Sequence, residues 1–573
     1  MLEGNDITIR ESDMDGNELM RLPLFFTHRI KDTARLSTDF SRGMEAIMTS
    51  SVNYRELNKA MDALLLTKDW LQKGRDIQAT EGGRKLVDVF TWGGDMALKA
   101  VTLNKGTSGT GAAVQDFFEA NVYNKRHKDG QSGVTIMGHR ITTDKLASAL
   151  TGYTSTVGLA ANLLGAQANL LVGKLQMVIE ASCGEFFTVK DWGVAELQYF
   201  QMLGPLLNEL ASNNKSSELG LLMDYFNVEG DFIDNLKRSG MYNSTVGKII
   251  NNSNLLFMYG MGEHMLHAET MLAILNQKKV IDKTTGNTVP LKEVFKVEKV
   301  GKNGKIVIDY NRYNLITDEK TGASKPLTEA DIDLVNNQIK YCNDSMHGAF
   351  SQIDRGMIHR YCFGRLIMNF RQWMPAHYAR RFKGLHYDAL LGQYREGYYV
   401  SCYKFLRDTV RAWKEAEYSI ATHWHELDDT EQGRMQKANI KRAMAETALL
   451  ISLMASPMLL GRYKDKKGNW AYRNLMYQLY RMRTEVGASS PVALTGFIKN
   501  ALTILNSPMA CISTVDNMTR VLYFHDLFYK VEAGKHEGEN LYVHGLEKAI
   551  PYYKQVMNQI NLGNEDTLFK IFD

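Results

Sequence analysis

The sequence predicts a mostly α protein of several lobes, carrying one or more β-hairpin insertions. Three observations lead there. Nine prolines serve 573 residues, and none falls between residues 24 and 204, which leaves the backbone free to run in long helices. Apolar residues recur at three- and four-residue spacing through most of the chain. A single tract, 279–325, changes texture to β-branched alternation broken by the turn signals TTGN, KNGK and KTGA. A chain of this length exceeds one ordinary core, and 44% hydrophobic with 23% charged residues is a foldable composition. The expected regions are 1–103 (hairpin plus helix), 104–278 (helical, with a long uncharged helix), 279–325 (β insertion) and 326–573 (helical).

Taken in order, residues 6–26 read as a short hairpin, with ITIRES and ELMRLPLFF either side of DMDGN. Residues 36–74 read as a helix: Ser37, Thr38 or Asp39 can cap it, and Met44, Ile47, Met48 and Val52 keep helical spacing. Gly-rich breaks follow at 104–111 and 128–133. The first lacks the Gly-Lys-Ser/Thr ending of a phosphate loop, so a plain connection is expected. Residues 146–173 hold no charge over 28 positions, enough to cross a bilayer as a helix. Ser155, Asn162 and Asn169 recur every seven residues there, and a polar stripe with several glycines favours a buried helix with small-residue contacts. A conditional membrane contact is the sharper reading of the same segment.

The insertion at 279–325 is expected to protrude. Pro326 should stop its last strand, and Thr328 with Asp331 resembles a capping box that restarts helix. Further on, RYKDKKGNWAYR suggests a hairpin, and the Ser-Pro dipeptides at Pro457, Pro491 and Pro508 suggest helix starts.

Chemistry-bearing patterns are sparse. Five cysteines, none in a C-x-x-C pair, imply reduced thiols of a protein made in cytoplasm, and the acidic N-terminus lacks a secretory h-region. His264 and His267, with Glu263 and Glu269, sit in GEHMLHAE; His423, His425 and Glu426 sit in ATHWHELDD. A helical i, i+3 pair can chelate, but neither run indicates a third ligand, so no metal and no cofactor is expected. Neither GASSP nor ASCGEF supplies a hydrolase nucleophile, and the acids of DFIDN and EADIDL sit where helix starts want them. No catalytic residue is assigned.

The net charge is only +4, yet Arg355 to Tyr387 contains seven basic residues and no acid, so the other 61 basic residues are outnumbered by 64 acidic ones. Within that stretch lies LIMNFRQWMPAHYARRFKG. On a helical wheel Phe363, Leu366, Ile367, Trp373 and Met374 share one face, and Pro375 should kink the helix at Met374. One expectation is a helix corner whose aromatics bury and whose arginines snorkel. The other is a face for nucleic acid or an acidic partner, built from Arg360, Arg365, Arg371, Trp373, Tyr378, Arg380, Arg381 and Lys383.

Residues 22–57, 342–382, 396–408 and 477–510 carry a shared texture: the FRQWMPAHYARR corner, the Gly-Tyr-Tyr step at 397–399, and Arg-rich helices before the Ser-Pro break at 507–508. This texture resembles a tract of large internal virion proteins of crAss-like and related tailed phages of gut bacteria. The resemblance implies a non-enzymatic cargo or ejection protein of the virion interior, packed with DNA or other virion proteins and able to form oligomers. A nucleic-acid-processing enzyme or polymerase-associated subunit carried in the same particle is the alternative.

Overall fold

Helices dominate the computed structural model, which describes residues 8–9 and 22–23 and, with short gaps, 133–228, 257–348, 361–414, 424–491, 527–545 and 553–563. The expected helix at 36–74, the Gly-rich break at 104–111, Arg360, Cys511 and Pro508 lie outside the described residues. The chain divides into two compact units, each discontinuous in sequence: residues 1–150 with 352–368, and 151–351 with 369–573.

In the first unit, β1 (Thr8–Ile9) pairs antiparallel with β2 (Leu22–Pro23), so the N-terminal hairpin forms where the alternation places it. A second hairpin joins β3 (Gly133–Ile136) to β4 (His139–Thr142), and α1 (Thr143–Leu159) follows at once, its residues from Thr151 on counted with the second unit.

The second unit is built around α2 (Leu163–Cys183). The uncharged segment 146–173 is therefore shared between two helices rather than forming one. Asn162 caps α2 by accepting a 2.8 Å hydrogen bond from Gly165 N–H, and Gly184 closes it in the left-handed conformation at φ 69°. Around α2 pack α3 (Val189–Ser212), α5 (Phe257–Gln277), α6 (Glu329–His347), α10 (Glu431–Leu460) and α11 (Trp470–Ser489), with α4 (Glu218–Tyr225) set against α3. Small residues permit this closeness. A Cβ on Gly173 would stand 2.2 Å from Cδ1 of Leu266 on α5. Among the described residues, no helix is long and apolar enough to cross a membrane.

The β insertion opens directly after α5. A four-stranded antiparallel sheet runs in the order β10–β9–β5–β6, from β5 (Lys279–Asp282), β6 (Thr288–Pro290), β9 (Tyr313–Asp318) and β10 (Ala323–Pro326). A separate hairpin pairs β7 (Lys296–Val300) with β8 (Asn303–Val307). Its base is seated rather than protruding: Val280, Leu291, Val294 and Phe295 join the same core as Met177, Phe187, Leu222 and Met271. Apolar residues on one face of the sheet have to leave water, and the helices offer the nearest apolar surface. Thr328 and Asp331 form the capping box that opens α6, at 2.6 and 3.0 Å.

Three local expectations change. The second arm of RYKDKKGNWAYR is helical, since Trp470 opens α11. Pro457 lies inside α10 instead of starting a helix; its missing N–H would strand the Leu453 carbonyl, which accepts from the Ser456 hydroxyl at 3.0 Å. Pro491, just beyond α11, is in 3-10 helical conformation, in keeping with the helix start expected there. The corner also breaks earlier than Met374: α7 (Cys362–Met368) belongs to the first unit and α8 (Trp373–Phe382) to the second. Pro375 falls in the first turn of α8, where a helix needs no N–H from it, so Trp373 and Met374 travel with the downstream helix. A hairpin of β11 (His386–Asp388) and β12 (Gln393–Arg395) then leads into α9 (Tyr398–Lys414), which packs on α10. Cys183, Cys342, Cys362 and Cys402 are free thiols, as the sequence suggests, and the first three are buried.

Candidate functional site

Glu180 stands on α2 in a run, LLVGKLQMVIEASC, whose only other charge is Lys174. A carboxylate buried among apolar neighbours costs several kcal/mol unless cations meet it, so the fold has to bring some. It brings three arginines from distant elements. Arg380 of α8 pairs with Glu180 Oε2, and Arg442 of α10 donates to Glu180 Oε2 at 3.1 Å and Oε1 at 2.5 Å. Arg442 also reaches Glu185 Oε2 at 2.5 Å, while Arg395, at the end of β12, grips both oxygens of Glu185. Asn439 accepts from Arg442 at 2.8 Å, and Gln176 accepts from Arg380 at 3.3 Å. The Arg395 guanidinium lies over the rings of Phe186 and Tyr341 at 5.5 and 5.3 Å.

A second knot adjoins it. Arg381, 0% exposed, donates to Glu446 Oε1 at 3.3 Å and to the His377 carbonyl at 3.2 Å, and Tyr398 donates to the other Glu446 oxygen. Glu396 accepts from Ser401 at 2.6 Å and from Lys404, and Asn439 ties that group to the first by donating to the Glu396 carbonyl at 3.0 Å. Gly397 makes the junction possible. Its N–H donates to the Lys383 carbonyl at 2.7 Å, and a Cβ there would sit 2.6 Å from the backbone of Arg381 and Phe382.

The electrostatics follow from this pairing. Burial by itself would raise the Glu180 pKa, but Arg442, Arg380 and Arg395 outweigh it and hold the carboxyl down at about 2. Burial pushes the Cys183 thiol up to about 12, so it stays protonated beside the clasp. Burial, reinforced by Arg381, lowers His377 to about 3, leaving a neutral ring whose Nε2 donates to the Met346 carbonyl at 2.7 Å. Glu180, Cys183 and Glu185 bring ligand-type atoms within 4.8 Å of one another. Their carboxylates are already met by three guanidiniums and the thiol keeps its proton, so this cluster is an internal ion lattice and a poor cation site.

Each residue expected at the basic face now has a place, Arg360 excepted. Arg380 and Arg381 turn inward, with side-chain exposures of 6% and 0%. Trp373 is half-buried and meets His377 edge-on at 5.1 Å; Tyr378 is half-buried and 6.0 Å from the Phe382 ring. Arg371 is half-buried and Lys383 exposed. Arg365 is half-buried in the first unit and donates to Cys362 Sγ at 3.3 Å. Sequence reasoning reached the arginines and missed their partners, Glu180, Glu185, Glu446, Arg395 and Arg442. The one signal for them was a lone glutamate in an apolar helix.

No family model, curated protein or solved structure matches the chain.

Proposed function

We propose that this chain is a structural component of a tailed-phage particle, an internal cargo or ejection protein that packs with DNA or other virion proteins and is delivered with the genome. One observation carries the reading: residues that bear the resemblance to such proteins supply part of the buried clasp. Arg380 and Arg381 come from the FRQWMPAHYARR corner, and Gly397 and Tyr398 from the Gly-Tyr-Tyr step. The shared texture is thus spent on holding a helical body in one arrangement.

That kind of joint suits a delivered protein. Buried ion pairs add little net stability over apolar packing, yet every mispaired arrangement leaves a charge stranded. A chain held this way can be unfolded for passage through a narrow channel and still return to one register. Contact with DNA would fall to cations outside the clasp, such as Lys383, and would be salt-dependent and blind to sequence. Membrane contact through 146–173 requires the core around α2 to open.

Mass spectrometry of purified particles and of host cells just after infection tests the proposal. The polypeptide is expected in both, at a fixed copy number per particle. Its presence only in lysates of late-infected cells, never in washed particles, overturns the reading.

A further inference from the structure

The helices α5 and α6 face each other across a set of polar side chains outside the clasp. Glu263 and His267 lie one turn apart on α5, with Glu263 Oε2 3.8 Å from His267 Nε2. His347, at the end of α6, places its ring 5.2 Å from that of His267, the planes tilted by 31°. Asn343 lies one turn before His347 on α6 and is buried. Four atoms in this group are buried without a hydrogen-bond partner: Glu263 Oε2, His267 Nε2, His347 Nε2 and Asn343 Oδ1. A buried unsatisfied polar atom costs about 1–3 kcal/mol, so four together call for a cause.

We propose that Glu263, His267 and His347, with Asn343 beside them, bind one divalent transition-metal ion of the zinc class between α5 and α6. The atoms left bare are the ones a metal takes, and their neighbours hold them so. Asn169 of α2 donates to Glu263 Oε1 at 2.5 Å, which leaves Oε2 for another ligand. The Val228 backbone lies against the His267 ring, whose Nε2 faces Glu263. A carbonyl behind an imidazole and an amide behind a carboxylate are the outer partners that orient metal ligands. Two donors each about 2.1 Å from an ion stand at most about 4.2 Å apart, so the 3.8 Å gap fits a shared ion, whereas it is too long for a hydrogen bond. The ligand atoms of Glu263, His267 and His347 do not all lie within 4.8 Å of one another, so His347 has to rotate its ring to complete the set. Two imidazoles and a carboxylate favour zinc-like ions over calcium or magnesium. Arg380 is a cation whose field reaches His347, and it is paired with Glu180.

The test uses the full chain after chelator treatment, titrated with Co2+ and Zn2+. One Co2+ per chain is expected, with the visible bands of a low-coordinate site, displaced by Zn2+. Glu263→Gln and His347→Ala should each weaken binding more than the roughly 10–100-fold that loss of an outer partner costs. His425→Ala, at an exposed position, should leave it unchanged. Should either variant fail to fold, Asn343→Asp adds a charged oxygen ligand and should tighten binding about tenfold. Absence of stoichiometric binding, binding that follows His425, or unchanged affinity in Asn343→Asp overturns the site. None of these outcomes bears on whether the protein belongs to a particle.

Discussion

Two buried polar clusters lie within the same unit and are built on opposite terms. In the clasp, each carboxylate oxygen of Glu180 and Glu185 meets a guanidinium, drawn from segments up to 262 residues apart. In the cluster between α5 and α6, Glu263 Oε2, His267 Nε2, His347 Nε2 and Asn343 Oδ1 are left without partners. The clasp pairs every carboxylate oxygen of Glu180 and Glu185 and leaves only Arg381 Nη2 and Arg395 Nε unmet, whereas the cluster on α5 and α6 leaves its carboxylate and imidazole atoms bare. Burial of ionisable groups alone says little about function; which lone pairs and protons are met says much more.

The comparison breaks most sharply at Arg442. Arg442→Met removes the guanidinium shared by both glutamates, leaving Glu180 Oε1 without a cation and Glu180 and Glu185 with one arginine each, so a loss of about 3–5 kcal/mol is expected in urea denaturation. A loss below 1 kcal/mol would mean that water reaches the clasp. Gly397→Ala forces a methyl group into the Arg381 backbone and should cost about 1–3 kcal/mol. A neutral result would mean that the β12–α9 junction is slack.

Acid sharpens the same contrast. His377 has its pKa lowered by folding, from 6.5 to about 3, so below pH 6.5 the unfolded chain binds the extra proton and stability falls as pH drops. The loss approaches about 1.4 kcal/mol per pH unit until the folded-state value is reached. Glu180 acts in the same direction lower down: its contribution is complete above pH 4.5 and fades as pH falls toward about 2. Denaturation midpoints between pH 7 and 4 should therefore slope downward, and the slope should lessen in His377→Gln. The smallest effect is Trp373→Ala. A half-buried indole at the edge of the clasp should cost about 1–2 kcal/mol, less than the roughly 3–5 kcal/mol of a fully buried one.

Much of the fold was legible locally. The capping box at Thr328 and Asp331, the strands of 279–325 and the N-terminal hairpin follow from interactions between residues a few positions apart. Pro457 misled because a neighbouring hydroxyl repaired the backbone defect, and Pro375 misled because its position within a helix turn depended on where that helix began. For the clasp, the charge imbalance at 355–387 marked the segment that supplies Arg380 and Arg381. Its direction was illegible: an arginine pattern reads the same whether the partner is an external phosphate or an internal glutamate.

Short-range rules of capping, spacing and turn chemistry were enough to settle the helical class, the β tract and the concentration of cations around the corner. Which way those cations face, and that GEHMLHAE gains a further histidine from α6, depended on pairings between residues 80 to 262 positions apart. Such pairings are chosen by the joint cost of burying every charge at once, a quantity that no single stretch of chain contains.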